Sequence, residues 1–464
     1  MQYISTRGKA DKLGFIDVVI AGLASDGGLY VPESYPFFSA KEITKLRGLS
    51  YSELFLQIVR PYIAGAIPDK DLQKIVEASY NNFSHKAIAP LKQIDNQQFL
   101  LELFHGPTLA FKDFALQFLG RIFNYILSKK EEKVTIVGAT SGDTGSAAIE
   151  GCRHSSHVNI FILHPNGRVS DVQRRQMTTI AAKNVNNLAV ETDFDGCQNL
   201  VKELFADQSF LGGKSRLVAV NSINWCRIMA QIVYYFYAAL QLGAPDRVVS
   251  FSVPTGNFGD IFAGYVAKKM GLPIEKLIIA TNSNDILAKF ISSNIYEKTK
   301  VVKTLSPSMD IQVSSNFERL LFDLYDNNGN EIANLMNQFN SAKISIDNDK
   351  FNKAKETFLS HSCDDETICQ IISEIYHNTG ELVDPHTATG IKAAQVYNQK
   401  NGVPTITLAT AHPAKFGQAI KRAGFPEPNL PANLTDLMQR PEYYKVVSSD
   451  INEIKSYIVG KSFY

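Results

Sequence analysis

Residues 134–151 read VTIVGATSGDTGSAAIEG: an apolar β-branched run, a loop of Gly, Ser and Thr, and a helix-forming stretch. The run 134–137 has the character of a buried strand, 138–145 has a turn's composition, and a helix is predicted to start near Ser146. The same order recurs elsewhere. NIFILHP (159–165), RLVAVN (216–221), VVSFSV (248–253), KLIIAT (276–281) and TITLAT (405–410) each read as a buried strand, and most lead through a Gly-, Ser- or Asn-containing turn into a helix. Such alternation predicts an α/β fold with open, mostly parallel sheets, and ligands then bind beyond the carboxyl ends of the strands.

Composition excludes several partners. The 464 residues, 45% of them hydrophobic, predict a soluble protein of several domains with a sizeable core. Forty-seven basic and 46 acidic residues give a net charge of +1, so no general field draws in nucleic acid or an anionic membrane. Five scattered cysteines without a CxxC pair argue against zinc or a disulfide framework and fit a reducing compartment, and the polar start MQYISTRGKADK lacks a signal-peptide core. A cytoplasmic location is expected. The most apolar window, 228–244, carries Gln231 and Gln241 and reads as a buried helix. Residues 1–90, broken by a turn at Asp26-Gly27-Gly28, read as a separate amino-terminal unit. The region 284–380, with polar patches DNNGNE and DNDK, reads as a helical insertion carrying surface loops.

Three strand-to-helix turns could carry chemistry. The loop SGDTG (141–145) exposes backbone N–H groups and adds hydroxyls, a cradle for a carboxylate or phosphate; it lacks the Lys of a P-loop and the GxGxxG of a dinucleotide site. PTGNFGD (254–260) is a second such cradle, with Gly256 and Gly259 permitting close approach and Asn257 tolerating a left-handed backbone. In TITLATAHPAKFG, Thr410 ends a strand with its hydroxyl toward the same crevice. A tight turn is the structural alternative for each loop, and a plain strand end for Thr410; two anion cradles in one chain favour a ligand with two anionic groups, or a cofactor plus a substrate. Lys112, in HGPTLAFKDFALQFLG (105–120), stands among apolar side chains at the predicted start of a helix. Burial and the helix dipole favour a neutral, nucleophilic amine there, whereas a salt bridge to Asp113 or Glu102 is the structural alternative. Spacing alone leaves the two level.

Taken together, FKDF (111–114), SGDTG, PTGNFGD and TAHPAKF (410–416) resemble the threonine synthase family, pyridoxal-phosphate enzymes of the tryptophan-synthase-β-like fold. YISTRG (3–8), GLASDGGLYVPE (22–33), NSINW (221–225), SPSMDIQVSSNFERL (306–320) and DPHTATG (384–390) extend the resemblance in order from residue 3 to about residue 420. It implies fold type II: two three-layer domains with open, mostly parallel sheets, plus the amino-terminal unit. The large cofactor domain is expected at 91–130 and 215–464, and a small substrate-side domain at 131–214.

The resemblance also implies roles. Lys112 would hold pyridoxal phosphate as a Schiff base and then shuttle protons. Gly256, Asn257, Phe258, Gly259 and Asp260 would surround the cofactor phosphate, and Thr410 would meet the pyridine nitrogen. Ser141, Gly142, Asp143 and Thr144 would receive the carboxylate of O-phospho-L-homoserine. Arg168 with Ser170, or Arg227, are candidates for its phosphate, since Asn166 stands where many relatives carry Lys. The implied reaction makes L-threonine and phosphate; a phospholyase, a serine/threonine dehydratase and a non-catalytic anion-binding regulator are the alternatives. His386 and His412 read as structural or supporting. No effector is expected, because nothing resembles the extension of plant forms; the chain is expected to act as a monomer or homodimer, without nucleic-acid or membrane partners.

Overall fold

The computed structural model describes residues 1–213, 215–218 and 222–461, and the backbone alone of 399–401. Residues 219–221, the end of RLVAVN and the first residue of NSINW, lie outside the described residues. Two sheets carry the fold. The larger runs, in spatial order, Phe358–Ser362, Ile274–Thr281, Val249–Pro254, Thr405–Ala409, Gln98–Glu102 and Leu91–Gln93, parallel except for the last pair. The smaller runs Lys445–Val447, Val185–Val190, Val158–Pro165, Val134–Ala139 and Arg216–Val218, all parallel. A two-stranded antiparallel sheet, Tyr3–Ser5 with Tyr30–Pro32, stands at the amino terminus. The expected strands are present, RLVAVN over its described part Arg216–Val218, and the carboxyl ends of Val134–Ala139, Val249–Pro254 and Thr405–Ala409 open onto the loops singled out above.

Three boundaries differ from the sequence-based expectation. Arg216–Val218 and Lys445–Val447 pair into the smaller sheet, and Val447 and Ile454 lie in its core, so part of 215–464 belongs with that sheet. Their apolar side chains find partners only there. The 284–380 region is not purely helical: Phe358–Ser362 extends the larger sheet at its edge. The amino-terminal unit, finally, has no core of its own. Its helices Tyr51–Ile63 and Asp69–Tyr80 share one hydrophobic cluster with helices Lys112–Lys130 and Trp225–Gln241. Phe114 meets Tyr51, Phe83 and Tyr234 edge-on with centroids 5.5, 4.9 and 5.6 Å apart, and the Tyr80 hydroxyl donates to the Phe114 carbonyl at 2.9 Å. These rings seat the helix that begins at Lys112. No helix among the described residues is long and apolar enough to cross a membrane; Trp225–Gln241 is buried along most of its length.

The two sheets meet through helices Lys112–Lys130 and Asp143–Cys152. A β carbon on Gly120 would lie 2.2 Å from the Gly151 carbonyl oxygen, and one on Gly151 would lie 2.3 Å from that of Leu116. Glycine at both positions lets the helices approach closely enough to bring Lys112 and Asp143 together. Gly120→Ala sets a helix-propensity gain of about 1 kcal/mol against overpacking of about 1–3 kcal/mol. Because the obstacle is backbone, the second effect should win, and urea unfolding should show a net loss of up to about 2 kcal/mol; a variant more stable than the parent would contradict this packing.

Candidate active site

Lys112 is the first residue of its helix, and its side chain is 11% exposed. Its Nζ donates to Asp143 Oδ2 at 3.2 Å, not to Asp113 or Glu102. Asp113 instead accepts the Thr108 N–H and hydroxyl at 2.8 and 2.9 Å, and Glu102 meets His105 at 2.7 Å. Burial pushes the Lys112 amine below its ordinary pKa; Asp143 opposes this, while the charges of Lys415 and Arg227 add to it. The aromatic ring of Phe111 lies 5.2 Å away.

Asp143 opens the helix Asp143–Cys152 and is buried. Its Oδ1 accepts from Lys415 Nζ and Gln173 Nε2, each at 2.8 Å, and its Oδ2 also accepts the Ser308 hydroxyl at 3.1 Å. Burial alone would raise this carboxyl, but the two ammonium groups and these hydrogen bonds outweigh it and hold the group well below the usual carboxylate range. Lys415, fully buried, also donates to the Thr108 carbonyl at 2.6 Å. The Ser308 N–H donates to His386 Nε2 at 3.1 Å, so the imidazole proton resides on Nδ1 and goes to Asp384 Oδ2 at 2.6 Å.

The turn after Val249–Pro254 has the shape of an anion cradle. The Gly256 carbonyl accepts the Ser314 hydroxyl, and the Asn257 carbonyl accepts both the N–H and side-chain amide of Asn316, at 3.1 and 3.0 Å. The N–H groups of Gly256, Asn257, Phe258 and Gly259 donate to no described residue, and they stand at the amino end of helix Gly259–Lys269. Phe258 adopts φ 63°, which a bulky residue tolerates only when packing enforces it; its buried ring lies against Phe317 and Phe358. A β carbon on Gly256 would come within 3.1 Å of the Ser308 carbonyl. The Asp260 carboxylate is engaged by the hydroxyls of Tyr234 and Tyr235 and is pushed up to about 7 by burial; what this residue can offer an anion is its N–H.

The other expected residues lie around the same crevice. The Thr410 carbonyl accepts the Phe111 N–H at 2.9 Å, which places Thr410 beside Lys112; its own N–H donates to Thr387 Oγ1 at 3.3 Å. Thr140 Oγ1 accepts the N–H groups of Gly142 and Gly145 at 2.9 and 3.0 Å, shaping the loop so that those of Ser141, Asp143 and Thr144 stay unbonded among the described residues. The Asp143 side chain faces two ammonium groups, and a substrate carboxylate can reach only its backbone. Arg168 is exposed in the turn after Val158–Pro165. The Ser170 hydroxyl caps the next helix, accepting the Gln173 N–H at 3.3 Å and donating to its Oε1 at 2.9 Å, and is thus already engaged. Arg227 is buried with Nε and Nη1 unpartnered, and burial brings its pKa down to about 10.

The sequence reading gave no role to Lys415, Gln173, Ser308, Asp384, Ser314 or Asn316, and it counted His386 as structural or supporting. The signals were present in part: Lys415 is a second lysine in the quoted TAHPAKF, and Asp384-Pro385-His386-Thr387 has the pattern of a helix cap, which Asp384 indeed forms. A phosphate-bearing aldehyde fits this donor set. Four N–H groups unbonded among the described residues suit its phosphate at a helix start, a buried amine of lowered pKa suits its carbonyl, and the Arg227 guanidinium, with two nitrogens unpartnered among the described residues, suits a further anion.

Comparison with known proteins agrees with the geometry. Family models match at residues 2–80 (threonine synthase N terminus), 87–338 (pyridoxal-phosphate dependent enzyme) and 387–458 (threonine synthase, C-terminal). The threonine synthase of Pseudomonas aeruginosa is 57% identical over 460 residues, covering 99% of this chain and 98% of the relative. That of Saccharomyces cerevisiae is 42% identical, covering 98% and 97%. A crystal structure of pyridoxal-phosphate-bound threonine synthase from Brucella melitensis superposes with a TM-score of 0.97 at 51% identity, covering the whole of both chains. The chain belongs to the threonine synthase family, pyridoxal-phosphate enzymes built on this pair of parallel sheets.

Proposed function

We propose that the chain converts O-phospho-L-homoserine and water to L-threonine and phosphate, with Lys112 as its catalytic residue. The observation that carries this assignment is the Lys112 amine, buried, biased toward its neutral form and set between two anion-accepting loops. Pyridoxal phosphate, when bound, supplies an electron sink for the carbon that bears the substrate's amine. The N–H groups of Gly256, Asn257, Phe258, Gly259 and Asp260 hold the cofactor phosphate. Lys112 Nζ would anchor the cofactor's aldehyde carbon, and the Thr410 hydroxyl would face its ring nitrogen. A hydroxyl partner leaves that nitrogen less protonated than a carboxylate would, which favours elimination and replacement over transamination.

With substrate bound, Lys112 Nζ would be the base that removes the proton at the α carbon and returns one at the end. The free N–H groups of Ser141, Asp143 and Thr144, with the hydroxyls of Ser141 and Thr144, hold the substrate carboxylate; Gly142, expected among them, has its N–H on Thr140 Oγ1 and contributes the turn instead. Arg227, and Arg168 from the neighbouring turn beside Ser170, draw in the phosphate that departs from the γ carbon. The enzyme is read as cytoplasmic, acting as a monomer or homodimer.

Purified protein with pyridoxal phosphate should absorb in the visible and should release phosphate and threonine together from O-phospho-L-homoserine. Lys112→Ala should lose both the band and threonine formation. Phosphate release with a keto acid in place of threonine would move the assignment to a phospholyase. Gly256→Ala should weaken cofactor binding by about tenfold, because its β carbon presses the Ser308 turn at a cost of about 1–3 kcal/mol; equilibrium titration of the cofactor-free protein measures this.

A further inference from the structure

Asp143 has two oxygens and two lysine partners, yet only one of these lysines has a place in the proposed chemistry. Lys415 lies on the short 3₁₀ turn Pro413–Lys415 after the strand Thr405–Ala409 of the larger sheet and is fully buried. It donates 2.8 Å to Asp143 Oδ1 and 2.6 Å to the Thr108 carbonyl. Lys112 approaches the other oxygen, and at 3.2 Å it holds the longer of the two ion pairs. We propose that Lys415 is a positioning residue: by occupying Oδ1 it balances the Asp143 charge, so that the Lys112 amine beside Oδ2 stays available as a free base.

The electrostatic setting supports this division. A carboxylate with no other cation would hold Lys112 as ammonium, because an opposite charge at hydrogen-bond distance in a buried site favours the charged form. With Lys415 fixed on Oδ1, a second proton on Lys112 would place two ammonium groups on one carboxylate. The charged and titratable groups facing the pair are few. Arg227 adds positive charge on the Lys112 side. Asp113, raised to about 7 by burial, lies near Lys415 and is bonded to Thr108, as is Lys415. His412, lowered to about 4 by burial, feels Lys415 and is neutral at working pH. His386 reaches Asp143 through Ser308 and bonds Asp384 on its other side. Gln173 and the Ser308 hydroxyl satisfy the rest of the Asp143 oxygens without charge.

The proposal rests on Lys112 being the reactive amine, and its test uses cofactor-free protein so that the two can fail separately. Trace acetylation with acetic anhydride across pH 6–10, read by mass spectrometry of the Lys112 peptide against an exposed lysine, reports the neutral fraction of that amine. Lys415→Met should slow Lys112 labelling at neutral pH by about tenfold or more, the loss of neutral amine that follows when a lysine pKa rises by about one. Lys415→Arg, which keeps the charge, should restore most of the rate. Asp143→Asn should move it the other way, making Lys112 label faster. A purely structural Lys415 would not produce opposite signs. Labelling in Lys415→Met that is unchanged or faster overturns the proposal, as does slower labelling in Asp143→Asn, which decides the matter alone if Lys415→Met does not fold. Threonine formation by Lys112→Ala would defeat the assignment of Lys112 itself and leave the labelling comparison standing.

Discussion

One buried carboxylate, that of Asp143, joins the three parts of the chain that make the crevice. Asp143 opens the helix after the smaller sheet's strand Val134–Ala139, Lys112 opens the helix that leads from the larger sheet to that strand, and Lys415 lies on the turn after the larger sheet's strand Thr405–Ala409. Burying a carboxylate with two lysines is costly, and leaving the carboxylate unpaired would cost several kcal/mol more. The structure meets that demand with Gln173, Ser308 and the Thr108 carbonyl, so that each oxygen of Asp143 has two donors. The close contact of Gly120 and Gly151 makes the arrangement possible, because any side chain there would hold the helices apart. Helix packing and site chemistry are therefore one constraint.

A second line of contacts explains what an amino-terminal segment contributes to a site it does not touch. Thr6 and Arg7 bond to Glu318, with the Arg7 pair at 3.0 and 3.1 Å, and Arg319, wholly buried, donates to the carbonyls of Tyr30 and Ile223 and to the side chain of Asn316. Asn316 in turn grips the Asn257 carbonyl, and Ser314 grips that of Gly256. With their carbonyls drawn outward, the peptides of the cradle turn their N–H groups inward. The left-handed Phe258 completes that turn, at a conformational cost of about 1–3 kcal/mol that its aromatic packing offsets. The segment 306–320 thus connects the amino-terminal unit, the cradle and, through Ser308, the lysine site.

These contacts also mark where the sequence was legible and where it was not. Strands such as Val134–Ala139 and Ile274–Thr281 are apolar runs bounded by turns, and period and length suffice to find them. Val185–Val190 hides behind Asn186 and Asn187, both buried, and Phe358–Ser362 reads FLSHS, polar as an edge strand can be. The lysine could be found because its setting is local: Phe111 and Phe114 flank it. Its partner could not, because the Asp143 contact spans 31 positions and local spacing offers only Asp113 and Glu102. The region 284–380 looked like surface because its polar residues are plentiful. Several of them, Asn284, Thr304 and Asp310 among them, instead bond to one another and to Asn282 at the base of the turn that carries Ser308.

The same geometry bears on why a lysine with this task sits beside a carboxylate rather than in a purely apolar pocket. An apolar wall would keep the amine neutral, but an amine that must also carry a proton and give it back needs its ammonium form within reach. Asp143 Oδ2 provides for that form, and Lys415 on Oδ1 limits how strongly it does so. Burial and Arg227 pull the other way. Opposed effects act on the amine, and burial is the largest of them. A base matched to repeated proton transfer therefore depends on residues well outside the immediate sequence of Lys112, and the motif that contains it is only one half of the device.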